Sequence, residues 1–249
     1  MGAARVTETR PRPAFYALRP GGWRDYVTLL HPPYTLWHLS YVAVGAALAP
    51  RMDWALWGWT TLAFALAMGV GAHALDELSG RPLQTRISQP VLVALAVVSI
   101  SAASAIGIAI AISRTLWLLV FVAVGAFLVV AYNLELFDGR FHSGLWLAAT
   151  WGAFPVLTAY FASARTLHGA AFAAAGYAFA ATWAQRQLST PVRLVRRRVV
   201  AVEGSMRLDD GTTLPLEADW LAAGPESALK ALAAATVLIG VALLLLRAG

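Results

Sequence analysis

The chain has 249 residues, 59% of them hydrophobic and 13% charged, against roughly 25% charged in soluble domains. That balance excludes an ordinary water-soluble globule and points to one multi-span membrane domain. With no cysteine, disulfides, thiolate metal sites and cysteine nucleophiles are excluded too. Basic residues exceed acidic ones by six, and 18 of the 19 basic residues are arginine. On a membrane protein such a surplus sets orientation and meets anionic lipid; it does not imply nucleic acid.

In chain order, residues 1–32 read as a cytoplasmic tail and an interfacial helix. The opening "MGAARVTETRPRPAFYALRPGG" is polar and proline-rich. It lacks an apolar core before the first span, so it does not read as a signal peptide. A spanning helix needs about 20 mostly apolar residues. Seven segments meet or approach this: 33–50, 54–75, 90–112, 115–132, 143–163, 166–185 and 228–246. The first is short and contains His38 and Ser40, whereas the fifth and sixth are rich in Ala and Gly, which suits close helix packing in lipid. The organisation expected is thus a tail (1–32), a six-span membrane bundle (33–188), a basic segment (189–227) and a last transmembrane helix (228–249). Within the basic segment, "VRLVRRRVVAVEGSMRLDDGTTLPLEADWL" alternates apolar and polar residues around "DDG". This predicts a β-hairpin turning at Asp209, Asp210 and Gly211.

Arginine placement predicts orientation. With a cytoplasmic N-terminus, the tail, 76–89, 133–142 and 186–227 share one side and carry fourteen arginines, leaving four for the other. By the positive-inside rule this is an N-inside, multi-pass protein, expected in the plasma membrane.

The chemistry concentrates on that side. "HALDELSGRPLQTRIS" follows the second span, and on a helix His73, Asp76, Glu77 and Gly80 share one face. Adjacent carboxylates repel unless a positive group sits beside them. A Mg²⁺ ion is one solution, since it takes oxygen ligands and often brings phosphates. Arg81 and Arg86 are another, because a guanidinium fork pairs with carboxylate or phosphate. The alternative is a helix end with solvated acids and orienting arginines, and the residues alone leave both open. Tyr132 and Asn133 lie at the same level, followed by a solvated loop with Asp138 and Arg140. His31 and His38 flank the start of the first span and are expected to be interfacial. His142 and His168 fall on opposite sides and cannot form one metal site. "RLVRRR" reads as a topology anchor in contact with anionic lipid. There is no nucleophile elbow, phosphate-binding glycine loop or dinucleotide fingerprint.

"GWRDYVTLLHPPYTLWHLSYVAVGAAL", "DELSGRPLQTRIS" and "AYNLELFDGRFHSGLWLAATWGAFPVLTAYFA" together resemble the UbiA-type intramembrane prenyltransferases. The N-terminal stretch resembles that family's amphipathic helix and first span. The middle one is similar to the end of its first Asp-rich motif with the following arginine loop. The last is similar to its fourth-to-fifth-helix passage, with Gly152, Pro155, Val156 and Tyr160 approximating a G-x-x-P-V-x-x-x-Y core. The resemblance covers about residues 22 to 195. It implies an all-α integral membrane protein with a UbiA-like helical bundle, which the apolar runs and the alternating segment complete as about seven transmembrane helices with a small cytoplasmic β-hairpin insert. It further implies transfer of a prenyl group from a prenyl diphosphate to an aromatic or polar acceptor. Asp76 and Glu77 would be the catalytic and Mg²⁺-binding carboxylates, and Arg81, Arg86, Gln185 and Arg186 the diphosphate ligands. His73, Tyr132 and Asn133 would line the cavity.

The chain departs from the family in three ways. Its first motif, N-x-x-x-D-x-x-x-D, has Ala72 and Gly80 at its ends here. Its second acidic motif is replaced by the uncharged Gln185 and Ser189. The family has nine spans, and seven are expected here. Two readings therefore stand beside each other: a prenyltransferase-like enzyme, and a member that binds a polyisoprenoid lipid or quinone without turnover, as carrier or assembly factor. A small transporter fits less well, because inverted repeats and mid-membrane ionisable groups are missing.

Overall fold

The computed structural model describes residues 13–249, so the first twelve residues of the expected tail lie outside the described residues. Helix α1 (Trp23–Leu29) leads into α2 (Pro32–Leu48). Pro32 and Pro33 open α2, where a missing backbone N–H costs nothing because the first turn leaves it unpaired. Helix α3 (Trp54–Leu78) begins at Asp53, which accepts from the Leu56 amide at 2.9 Å and pairs with Arg114 at the end of α4 (Gln89–Arg114). Next come α5 (Leu118–Asn133), α6 (Gly144–Ala164) and α7 (Gly169–Arg198). Strands β1 (Ser205–Arg207) and β2 (Thr213–Pro215) precede α8 (Ala218–Ala248). Among the described residues, α3, α4, α6 and α8 are long and apolar enough to cross a membrane, and α5 is a shorter apolar helix.

The hairpin forms with Ser205 opposite Pro215. Its turn is the expected one: Gly211 takes φ 86°, where a side chain would be strained, and the Asp210 carboxylate accepts from the Thr212 amide at 2.8 Å. The strands are shorter than the alternating pattern suggests, because both neighbouring helices are longer. Helix α7 continues through Pro191 to Arg198, past the boundary expected near 188. Helix α8 starts at Ala218, ahead of the expected 228. A proline inside a helix costs about 3 kcal/mol. Tertiary contacts offset that here. Arg196 donates to Glu226 at 2.9 Å and to Asp219 at 2.6 Å, tying the last turns of α7 to the first turns of α8.

Small residues set the packing around α2. A Cβ on Gly45 would run into the Val156 carbonyl of α6, and one on Gly240 would lie 3.1 Å from Ser40 Cβ. Gly152 lies equally close to Ala178 and Thr182 of α7. Such backbone approaches are what hold helices together where no water is available to drive association. Trp37, Tyr41, Val156 and Ala178 fill the resulting core. At the far end of α8, Arg247 donates to the Ala47 and Ala49 carbonyls at 2.7 and 2.8 Å, capping the end of α2. Helices α2, α6 and α8 therefore run parallel, with α7 antiparallel to α6. The Asp53–Arg114 pair, Arg165 and Arg247 gather at one end of the bundle, and the polar loops at the other.

Candidate functional site

The loop after α3 is organised by three charged side chains. Glu77 is fully buried, and its carboxylate accepts from the Leu83 amide at 3.0 Å, the Thr85 amide at 2.8 Å and the Thr85 hydroxyl at 2.8 Å. Arg81 turns back along the loop, donating to the Thr85 and Ile87 carbonyls, each at 2.9 Å. Asp25 of α1, buried, accepts from the Gly21 amide at 2.9 Å and the Arg86 amide at 3.1 Å, locking α1 onto the loop. The Arg86 side chain is exposed. Glu77 and Arg81, expected at a ligand, are occupied in holding the loop, and Arg86 joins it through its backbone. Asp25 was not anticipated; the signal was an acid three residues after a glycine turn, "GGWRD".

Asp76, one residue away, is different. It is enclosed by protein yet keeps accessible surface, and among the described residues it has no hydrogen-bond partner. The charges acting on it are those of Arg197, His142, Glu77 and Arg193. These groups form a polar cluster at the loop end of the bundle, here termed the chamber. His73, one turn before it, stacks on His31 with ring centroids 4.0 Å apart, and the Tyr16 hydroxyl meets His31 Nδ1 at 2.8 Å. Among the described residues, the other ring nitrogen of His31 is buried without a partner. Tyr34 reaches Gln185, and Tyr132 stacks on His142 at 4.5 Å. Arg186 and Asp76 both act on Tyr132. Asp76, Tyr132 and Arg186 are thus linked electrostatically, with Gln185 joined through Tyr34, and Arg193 and Arg197, which read in sequence as a topology anchor, act on the same groups.

Two histidines expected at the interface are interior instead. His38 is buried and bonded to the Trp151 carbonyl at 2.9 Å, and His31 forms the stacked pair. Asn133 is buried as well, and its amide donates to the Val129 carbonyl at 2.7 Å, so it helps finish α5. His168 pairs with Tyr160 at the other end of the bundle.

An apolar groove lies next to the chamber. It is lined on α3 by Met68, Phe64 and Thr60, on α4 by Ile100 and Ser104, on α5 by Val129 and Gly125, and on α6 by Trp151, Phe154 and Thr158. The groove encloses about 100 Å³ and is nearly all carbon. Tyr132 and Trp151, 4.6 Å apart, mark its junction with the chamber. Two of the walls carry π-helical turns here, Ala65–Ala72 in α3 and Ala148–Ala153 in α6. Such turns often occur at functional sites, because the widened backbone redirects the side chains that follow.

A Mg²⁺ shared by Asp76 and Glu77 does not fit these residues. Both Glu77 oxygens accept hydrogen bonds from the loop, which leaves Asp76 as the single carboxylate of a chamber rich in arginine. Positive charge in the chamber comes from guanidinium groups.

Burial, then His73, Arg197 and Arg193, holds the His31 pKa well below its ordinary 6.5. The folded protein therefore keeps His31 neutral where the unfolded chain takes up a proton. Stability from this residue is full above about pH 6.5 and is lost as pH falls below it, because the unfolded state binds more protons there. Thermal unfolding of purified protein across pH 7 to 4.5 should show this decline, and His31→Gln should reduce it. An equal decline in the variant would assign the acid sensitivity elsewhere.

Compared with family models, curated proteins and solved structures, the chain matches none.

Proposed function

We propose that this is a multi-pass membrane protein that binds a polyisoprenoid amphiphile, its polar head in the Asp76–Tyr132–Gln185 chamber and its tail in the groove between α3, α4, α5 and α6. The observation that carries this reading is the contact between Tyr132, a chamber residue, and Trp151, which lines the groove, with ring centroids 4.6 Å apart. A charged, aromatic-rimmed chamber thus adjoins a nearly polar-free groove, an arrangement that suits a ligand with one ionic end and one long apolar end. The resemblance to the UbiA-type prenyltransferases supplies the isoprenoid class. The loss of the second acidic motif and the engagement of Glu77 favour binding without turnover over prenyl transfer. A carrier or assembly role follows from that preference.

In this reading all seven long helices cross the bilayer, with the N-terminus, the chamber and the hairpin on the cytoplasmic side. Topology reporters fused at Gly211 and after Gly249 should then report opposite sides. The same side for both removes the seven-span scheme.

The groove is tested by filling it. Ser104 and Ala126 line it with small side chains. A buried methylene contributes about 0.8 kcal/mol, so blocking the space of two or more carbons should weaken tail binding by about tenfold or more. Ser104→Phe or Ala126→Phe should show that loss for farnesol and farnesyl diphosphate alike in detergent-solubilised protein. Unchanged affinity in both variants, with the fold intact, would sink the groove as the tail site. Labelled product formed from farnesyl diphosphate and an aromatic acceptor would instead establish prenyl transfer.

A further inference from the structure

Helix α7 carries Arg186, Arg193 and Arg197 at intervals of seven and four residues, which places them within about 40° of one another around the helix. Each is partly buried at the chamber. Their neighbour Arg196, about 60 to 100° further round the helix, has two carboxylate partners, Asp219 and Glu226. The chamber arginines are not so provided. Among the described residues, Arg197 donates only to the neutral Pro13 carbonyl, at 3.0 Å, and the side chains of Arg186 and Arg193 have no acceptor. Arg193 is repelled by both Arg186 and Arg197, with Tyr132 and Tyr34 facing it. The acids nearby do not balance this set. Glu226 is engaged with Arg196, Glu77 with the loop, and Glu135 lies 3.9 Å from His142 with most of its surface in solvent.

Among the described residues, three guanidinium charges thus face one carboxylate, Asp76, a surplus of two positive charges in a partly enclosed space. Like charges held together away from bulk water raise the free energy of the empty site. They are relieved by an anion carrying about two charges and several acceptor oxygens. Phosphate and diphosphate esters have that charge, and guanidinium forks match their geometry. The Tyr16, Tyr34 and Tyr132 hydroxyls and the unpartnered nitrogen of His31 stand around the same space as further hydrogen-bonding groups.

We infer that α7 forms a metal-independent phosphate site, with Arg186, Arg193 and Arg197 as ligands, and that it selects a phosphorylated isoprenoid as the amphiphile. This rests on the amphiphile reading above and adds the identity of the head group. The arginines fill the place that the uncharged Gln185 and Ser189 leave open: recognition moves from carboxylate-held metal to guanidinium.

The test is equilibrium binding to the purified full chain in detergent, with chelator and with Mg²⁺. Its probes are farnesyl phosphate, farnesyl diphosphate, farnesol and inorganic pyrophosphate. Both farnesyl esters should bind equally well with chelator and with Mg²⁺, and better than farnesol. Arg193→Gln and Arg186→Gln should each weaken the esters by at least about tenfold, the loss of one charge-assisted contact, and leave farnesol unchanged. Arg193→Lys should recover part of the affinity. Arg186→Gln supplies the reading if Arg193→Gln fails to elute as a monodisperse species. Chelator-sensitive binding, esters no better than farnesol, or glutamine variants that bind esters normally would overturn the phosphate site. Farnesol binding that survives that result leaves the amphiphile reading intact. Pyrophosphate binding as tightly as the farnesyl esters would uphold the anion site and remove the isoprenoid ligand.

Discussion

Replacing Glu77 with alanine is expected to abolish the folded protein, whereas Asp76→Ala should fold normally. The two carboxylates are adjacent in sequence and have opposite roles. Removing the Glu77 carboxylate strands the Leu83 amide, the Thr85 amide and the Thr85 hydroxyl in a fully buried position. Each unsatisfied buried donor costs about 1–3 kcal/mol, so the total is about 3 kcal/mol or more, a large share of any domain's stability. Released from Glu77, the 79–88 loop also loses the geometry that lets Arg81 reach Thr85 and Ile87 and Asp25 reach Arg86. Among the described residues Asp76 makes no such hydrogen bonds, so its removal leaves the loop and the packing in place. The check is detergent-stable yield and thermal unfolding of both variants. Normal folding of Glu77→Ala would show that the loop is not built on that carboxylate.

Gly45→Ala is expected to separate α2 from α6. Alanine is the better helix former by about 1 kcal/mol, so propensity alone predicts a gain. Packing reverses the sign. The new methyl would sit in the Val156 carbonyl and 3.0 Å from the Val156 carbonyl carbon and Cα, all backbone atoms that cannot rotate away. Overpacking a core costs about 1–3 kcal/mol when side chains can shift. Here two helices must move, so a net loss of at least that size is expected. The same contact sets the height of α6 against α2, and with it the His38–Trp151 bond that positions the Trp151 edge of the groove. Reduced thermal stability together with weaker farnesol binding is the expected pair of results. An unchanged or raised melting temperature would mean that the close approach is not required.

The contrast between Glu77 and Asp76 also shows where sequence reasoning stopped. Runs of apolar residues located all seven long helices, and "DDG" located the hairpin turn, because both depend on local chemistry: burial of a helix's length of carbon, and a residue with positive φ. The sequence also put Asp76, Tyr132 and Gln185 at helix ends on one side of the bundle, since alternating helices return to the same end. What each charged group does was decided only by the tertiary structure. Nothing local distinguishes "DE" as one free and one committed carboxylate. The difference arises because Glu77 lies where Leu83 and Thr85 fold back, and Asp76 lies where α7 crosses. Likewise "RLVRRR" reads as an anchor until Arg196 is seen to meet Asp219 and Glu226 while Arg193 and Arg197 turn inward. His38 moves from interface to interior through a bond to Trp151, 113 residues away. Hydrophobic periodicity reports how much surface a segment must bury, which is a property of the segment. The partner of a buried polar group is a property of whichever segment packs against it, and that is set by the fold.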